Sequence, residues 1–148
     1  WLQGELLQRG LARVEGRADE RVGLAAMLAI EATARQARHG LWALRAFAVR
    51  RADELSRRDT DAFQIVEGRA TQAAKAGGAV YVNFGPDWHH AFTLRIAGSA
   101  LKLCREAGLD PLTLAGAALR VRGFIEGGRR PLMEITFPEQ IERLTPPR

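Results

Sequence analysis

The residues with the clearest potential for recognition chemistry alternate along predicted strands in the second half of the chain. Period-two spacing places Val80, Val82 and Phe84 on one face, so their neighbours point the other way. The outward residues combine aromatic, amide and guanidinium groups, and an indole follows in a predicted turn: Tyr81, Asn83, Arg95, Arg120, Arg122, Phe124 and Trp88. Rings stack on bases and guanidinium groups contact phosphates, so this set is a candidate nucleic-acid-binding surface. The alternative is an ordinary solvated face, or one covered by the N-terminal helices.

Other side chains of reactive type do not form a convincing site. Asp87, His89 and His90 have the groups that bind metal ions. Neighbouring residues of an extended segment point in opposite directions, so the two histidines are not expected to share an ion, and we predict no metal site. Cys104 has no histidine at local spacing and is expected to be a small buried residue. No catalytic residue is predicted in this chain.

Composition favours a folded domain with an affinity for polyanions. The chain has 148 residues and a net charge of +5, and all but two of its 22 basic residues are arginine, whose planar forks match phosphate oxygens. Acidic residues are interspersed with the basic ones, so charge alone does not establish a nucleic-acid partner. A single cysteine excludes a disulfide scaffold within the chain. No apolar run approaches the roughly 18 residues of a membrane-spanning helix.

The hydrophobic spacing changes from a helical to a strand period along the chain. A helix is predicted over 1–14, and a second runs from an N-cap at Asp19 to about His39, with Gly40 as its left-handed cap. Residues 44–61 are dense in Arg, Asp and Glu and are predicted to be a linker or a short helix. Strands and one helix follow, with a Gly77-Gly78 hairpin turn before the second strand: strands 63–70, 79–84 and 92–96, helix 99–107, strands 119–125 and 132–137.

This order predicts an α+β chain in which N-terminal helices precede a small five-stranded OB-like β-barrel, with a helix between strands 3 and 4. The alternative is a mixed sheet packed by one helix. The predicted domains are a helical region over residues 1–43, a charged linker or short helix over 44–61, and an OB-fold-like domain over 62–148.

Three separated segments of the first 42 residues carry a family resemblance. Residues 5–14 (ELLQRGLARV), 31–35 (EATAR) and 40–42 (GLW) resemble, in that order, the C-terminal helices of the staphylococcal nuclease (thermonuclease) family. Residues 80–88, 121–123 and 137–141 are similar to a domain that follows such nuclease domains in some bacterial proteins. The resemblance assigns residues 1–43 to the C-terminal helices of a thermonuclease-like domain.

The resemblance implies calcium-assisted phosphodiester cleavage by Asp, Glu and two Arg residues on a nuclease barrel. Those residues are expected upstream of Trp1, so neither Asp59 nor Asp61 receives a catalytic role and no cofactor is expected in this chain. Calcium would belong to the nuclease barrel, which is an expected partner. The resemblance also implies an exported or periplasmic location.

The expected function is that of an accessory module that binds nucleic acid, single-stranded or double-stranded, or positions a substrate for phosphodiester hydrolysis performed elsewhere. The competing class is a structural or protein-interaction module in which the arginines serve solubility. The sequence does not distinguish DNA from RNA.

Overall fold

The computed structural model describes residues 1–144, so the last four residues of the predicted 62–148 domain lie outside the described range. The chain forms two compact units, which divide between Ala48 and Val49. The first contains helices α1 (Leu2–Gln8) and α2 (Leu24–Gln36) and two short 3-10 turns (Gly40–Ala43 and Arg45–Phe47). Within residues 1–144, no helix is both long enough and apolar enough to cross a membrane.

Both N-terminal helices are shorter than predicted, because residues with positive φ interrupt them. Gly10 adopts a φ of +70° and α1 has already ended, whereas the spacing predicted a helix to residue 14. Gly23, with a φ of +76°, is the N-cap of α2, so the predicted cap at Asp19 is wrong. At the other end Arg38 takes a left-handed conformation (φ +56°) one residue after the C-cap. The His39 N–H then donates to the Ala34 carbonyl at 3.0 Å.

Gly10 and Gly40 bring two backbone segments of this unit together. The Leu41 N–H donates to the Gly10 carbonyl at 2.8 Å. A Cβ atom on Gly10 would collide with the His39 carbonyl, and one on Gly40 would collide with the Gly10 carbonyl. Both glycines have positive φ, so side chains are disfavoured here by conformation as well as by space.

A buried carboxylate joins the first loop to α2. Glu31 is fully buried and accepts the Val14 N–H at 2.6 Å through Oε2. Its Oε1 accepts from Arg35 Nη1 at 2.9 Å, which is the i,i+4 spacing of one helix face. The Arg35 guanidinium lies 5.6 Å from the ring centre of Trp42, a buried residue. The charge of Glu31 is therefore paired and hydrogen-bonded, as burial requires.

As far as residue 144, the second unit is a sheet with one α-helix, α3 (Ser99–Glu106), and short 3-10 turns. Its strands are β1 (Arg50–Arg51), β2 (Ala62–Arg69), β3 (Gln72–Ala76), β4 (Ala79–Asn83), β5 (Thr93–Ala97), β6 (Ala118–Glu126), β7 (Leu132–Ile135) and β8 (Ile141–Arg143).

The sheet is mixed and curls on itself into a half-barrel. Its strand order is β1-β2-β6-β7-β5-β4-β3, with β8 also paired to β6. The β1–β2 and β5–β7 pairs are parallel and the others antiparallel. Only Ala70 and Thr71 separate β2 from β3, although these strands lie near opposite ends of the order. The short link therefore requires the sheet to bend round.

Apolar side chains from alternate strand positions fill the inside of the curl. The fully buried core residues include Val66, Val80, Val82, Leu94, Ile96, Leu119, Val121, Ile125, Met133 and Ile135. Helix α3 adds Leu101 and Cys104 to the same cluster, so the thiol is buried as its position on the predicted helix indicated.

The α+β class and the OB-like curl agree with the sequence, but the strand count and the place of the helix differ. Eight strands are present within residues 1–144, against five predicted. Strand β3 was missed because its QAAKA sequence has no β-branched or aromatic residue. The hairpin at Gly77-Gly78 therefore joins β3 to β4. Helix α3 occupies its predicted residues but lies between the fifth and sixth strands rather than between strands 3 and 4.

Replacing Gly10 by Ala should destabilise the first unit by at least about 2 kcal/mol, because left-handed strain adds to a backbone collision. Gly23→Ala is the matched control: its φ is also positive, yet a Cβ there meets no atom within 4 Å, so only strain of about 1 kcal/mol is expected. Urea unfolding followed by tryptophan fluorescence measures both. Equal losses in the two variants would contradict a close approach at Gly10.

Candidate nucleic-acid interface

The candidate site lies on the outward face of β3, β4 and β5. Tyr81 on β4 is paired with Ala74 on β3 and with Arg95 on β5. One step along the strands, Asn83 is paired with Gln72 and with Thr93. Because directly paired residues share a face, these two rows of side chains form one surface.

Arg95 joins Tyr81 to a carboxylate on the neighbouring strand. Its Nε donates to Tyr81 Oη at 3.3 Å and its Nη1 donates to Glu134 Oε1 at 2.9 Å. The hydrogen bonds to Tyr81 and Glu134, together with the charge of Glu134, raise the pKa of Arg95 above its ordinary value. The guanidinium is therefore charged, but an approaching phosphate must compete with Glu134.

The loop between β4 and β5 holds an indole outward. Phe84 and Phe92 close its base through a backbone hydrogen bond of 2.9 Å and rings 5.1 Å apart. At its tip Trp88 is 52% exposed and stacks on the His89 ring at a centroid distance of 3.8 Å.

Asp87 organises that loop through its carboxylate. The His89 N–H donates to Asp87 Oδ1 at 3.1 Å, and His90 Nδ1 lies 2.7 Å from Oδ2. The hydrogen bond with His90, followed by that from the His89 N–H, lowers the pKa of Asp87 below its ordinary 3.8. Within residues 1–144 no group of three or more His, Cys, Asp or Glu side chains has the arrangement to hold a metal ion.

Arg130, from the loop between β6 and β7, connects the two aromatic residues. Its guanidinium carbon lies 5.6 Å from the Tyr81 ring centre and 5.8 Å from the Trp88 ring centre. Its Nη1 also donates to the Trp88 carbonyl at 2.9 Å. Such distances are within the range of cation–π attraction.

These side chains surround a cavity of about 380 Å³. It is lined by Gln72, Ala74, Ala76, Tyr81, Asn83, Trp88 and Arg130. This volume is at the small end of ligand pockets, and the alanines of β3 leave the rings accessible. The site thus offers two aromatic faces, a cation and amide groups in one place.

The structure brings four of the seven predicted residues to this region: Tyr81, Asn83 and Trp88 line the cavity, and Arg95 is bonded to Tyr81. Gln72 and Arg130 were not predicted. Gln72 lies on the strand that the sequence did not reveal. The sequence signal for Arg130 was a pair of basic residues beside the Gly127-Gly128 turn. The spacing of residues does not show which way a loop runs, so it could not place Arg130 at the cavity.

The other three predicted residues, on β6, do not line this cavity. Arg120 donates to Glu67 at 2.8 Å and to Glu142 at 3.4 Å. Arg122 is only 2% exposed, and its Nη2 donates to Glu142 at 3.3 Å. Phe124 is exposed and paired in register with Phe63. The alternation along β6 correctly predicted that these three side chains point away from the inside of the curl, but Arg122 is buried nevertheless.

No family model and no curated protein matches this chain. Among solved structures, a protein of Leishmania major Friedlin assigned as an aspartyl-tRNA synthetase matches 69% of this chain with 21% of its own, at a TM-score of 0.50 and 12% identity. The aspartyl-tRNA synthetase of Entamoeba histolytica matches 67% of this chain with 21% of its own, at a TM-score of 0.48 and 9% identity. The asparaginyl-tRNA synthetase of Pyrococcus horikoshii matches 66% of this chain with 23% of its own, at a TM-score of 0.45 and 10% identity.

The chain thus spans about a fifth of the length of these structures. The likeness to the Leishmania protein concerns the fold alone. Together with the strand order it supports an OB-fold-like domain. The staphylococcal nuclease resemblance of residues 5–42 receives no support from these comparisons.

Arg122→Ala should lower the free energy of unfolding by about 2 kcal/mol, because it removes a large buried side chain and one partner of a partly buried ion pair. Arg105→Ala, at an exposed position on α3, is the control and should change it by less than about 0.5 kcal/mol. Urea denaturation measures both, and a fully stable Arg122→Ala protein would contradict a structural role.

The loop around Trp88 should keep its arrangement as the pH falls to about 4. The pKa of Asp87 is lowered in the folded chain. The stabilising contribution of its carboxylate to the loop is therefore complete above the pKa of the unfolded chain, and it is lost as the pH falls through the lower pKa of the folded chain. The amide shift of His89, which donates to Asp87, reports this titration by NMR. The midpoint of this titration should lie below pH 3.8, and the titration should be absent in Asp87→Asn. A midpoint above 3.8 would contradict the stabilisation of the Asp87 carboxylate by its hydrogen bonds.

Proposed function

We propose that this chain is a nucleic-acid-binding module that binds single strands on the outward face of β3, β4 and β5. The observation that carries the proposal is the convergence of Tyr81, Trp88 and the Arg130 guanidinium around one small cavity. Bases stack on aromatic rings, and arginine adds cation–π and phosphate contacts. In OB-folds, oligonucleotides and oligosaccharides bind to a strand face of this kind and to its flanking loops.

The electrostatics support an anionic ligand at the rim of this cavity. Arg129 and Arg130 are consecutive, and Arg129 has no side-chain partner within residues 1–144. Arg95 lies on the same face, although Glu134 neutralises part of its charge. Phosphates could therefore contact the loop while bases reach the rings.

The proposed interface leaves out Arg120, Arg122 and Phe124. The first two are engaged by carboxylates, and Arg122 is too buried to reach a phosphate. Nor does the proposal extend to phosphodiester hydrolysis, because no comparison links the chain to a nuclease. A structural or protein-interaction module remains the competing function, and the ion-paired arginines favour it.

Fluorescence anisotropy with labelled single-stranded and duplex oligonucleotides, over a range of salt concentrations, tests the proposal. Single strands should bind more tightly than duplexes, with affinity falling as salt rises. Tyr81→Ala and Trp88→Ala should each weaken binding by about 1–3 kcal/mol, roughly 5- to 150-fold, because each removes a stacking platform.

Phe124→Ala removes an exposed ring on β6, outside the cavity, and should leave the affinity unchanged. Loss of binding in this control alone would move the interface to β6. An absence of binding at low salt would instead favour the structural or protein-interaction function.

A further inference from the structure

The floor of the cavity carries a buried amide with a defined orientation. Asn83 is 6% exposed and lines the cavity with Tyr81 and Trp88. Its Oδ1 accepts from Thr93 Oγ1 at 3.0 Å, and Thr93 is fully buried in the paired position of β5. The same hydroxyl lies 3.0 Å from the Ala91 carbonyl, which is a second acceptor for its one proton.

The other end of the Asn83 amide is available to a ligand. Within residues 1–144, Nδ2 has no hydrogen-bond partner. Although the residue as a whole is buried, Nδ2 itself is accessible from the cavity, so a ligand there can accept its hydrogen bond. A donor placed in this way, on the floor between two aromatic side chains, has the position of a group that contacts the edge of a planar ligand.

We infer that the cavity binds one unpaired base and that Asn83 Nδ2 reads its hydrogen-bonding edge, an inference that rests on the proposed function. Stacking on Tyr81 or Trp88 selects no particular base, because every base has a π face. Selectivity must then come from polar groups, and Asn83 is the most buried of those lining the cavity.

The hydrogen bond from Thr93 determines which bases fit. An asparagine with both amide atoms free can pair with adenine N6 and N7 together. Here Oδ1 is directed at the Thr93 hydroxyl, so Nδ2 is the amide atom that Asn83 offers to the cavity. The site therefore favours a keto oxygen, as in thymine, uracil or guanine, and disfavours an edge that presents an amino group. Thr93 is a positioning residue in this scheme.

Oligo-dT and oligo-dA of equal length, compared by anisotropy titration, test the inference. The wild-type chain should prefer oligo-dT, and Asn83→Ala should reduce that preference by roughly three- to tenfold, the contribution of one hydrogen bond. Asn83→Asp replaces the donor by an acceptor and should shift the preference towards oligo-dA. Gln72→Glu changes the residue of β3 that is paired with Asn83 and adds the same negative charge at the rim of the cavity. It should weaken the binding of both oligonucleotides without changing the ratio of their affinities.

Thr93→Val removes the hydroxyl at nearly constant volume and frees the Asn83 amide to turn over. It should raise the relative affinity for oligo-dA, an effect that a merely structural role would not produce. Thermal unfolding of each variant identifies any that does not fold, and the neutral Asn83→Ala then carries the test if Asn83→Asp fails.

The outcomes separate this inference from the proposed function. If no variant, including wild type, binds either oligonucleotide, the proposed function fails. If both bind through Tyr81 and Trp88 but the dT-to-dA ratio is the same in wild type and Asn83→Ala, only the base-reading role fails. A wild-type preference for oligo-dA would also overturn it, because the amide would then present Oδ1 to the cavity.

Discussion

The two-residue junction between β2 and β3 is the constraint on which the second unit depends. Ala70 is buried there, and its N–H and carbonyl are bonded to Ala117 and Gly116 at 2.9 and 2.8 Å. Thr71 turns towards the other end of the sheet, where its N–H donates to the Asn83 carbonyl at 2.8 Å. One short stretch of backbone thus bonds both to the segment that leads into β6 and to β4, which are three places apart in the strand order, and this forces the sheet to curl.

The same junction fixes the floor of the candidate site. The Thr71 hydroxyl lies 3.1 Å from the Asn83 carbonyl and 2.9 Å from that of Gly85, where the Trp88 loop begins. The backbone beneath the cavity is therefore held from both sides, by β3 and by the bend. A site on a rigid strand face loses little conformational entropy when a ligand binds, which favours a small recognition surface.

Much of the sheet could be predicted from the sequence, because its central strands carry their own hydrophobic alternation. Val80 and Val82, or Leu94 and Ile96, identify strands without any tertiary information. Strand β3 has no such pattern and exists because β4 offers it a partner. Alternation also gave the direction of Arg122 but not its burial, since spacing shows which face a side chain is on and not what covers that face. Arg130 depends on the path of a loop, which no periodic signal describes.

In the first unit, the residues that carry the resemblance to the staphylococcal nuclease family have structural roles. Gly10 and Gly40 permit a backbone approach that no side chain would allow, and Glu31 anchors the first loop to α2 while pairing with Arg35. These positions are constrained here by the close backbone approach and by the hydrogen bonds of a buried carboxylate. A match at such positions therefore reports a way of packing rather than a reaction. Functional inference is better drawn from the strand face of the second unit, where aromatic rings and an amide donor that has no partner within residues 1–144 line one cavity.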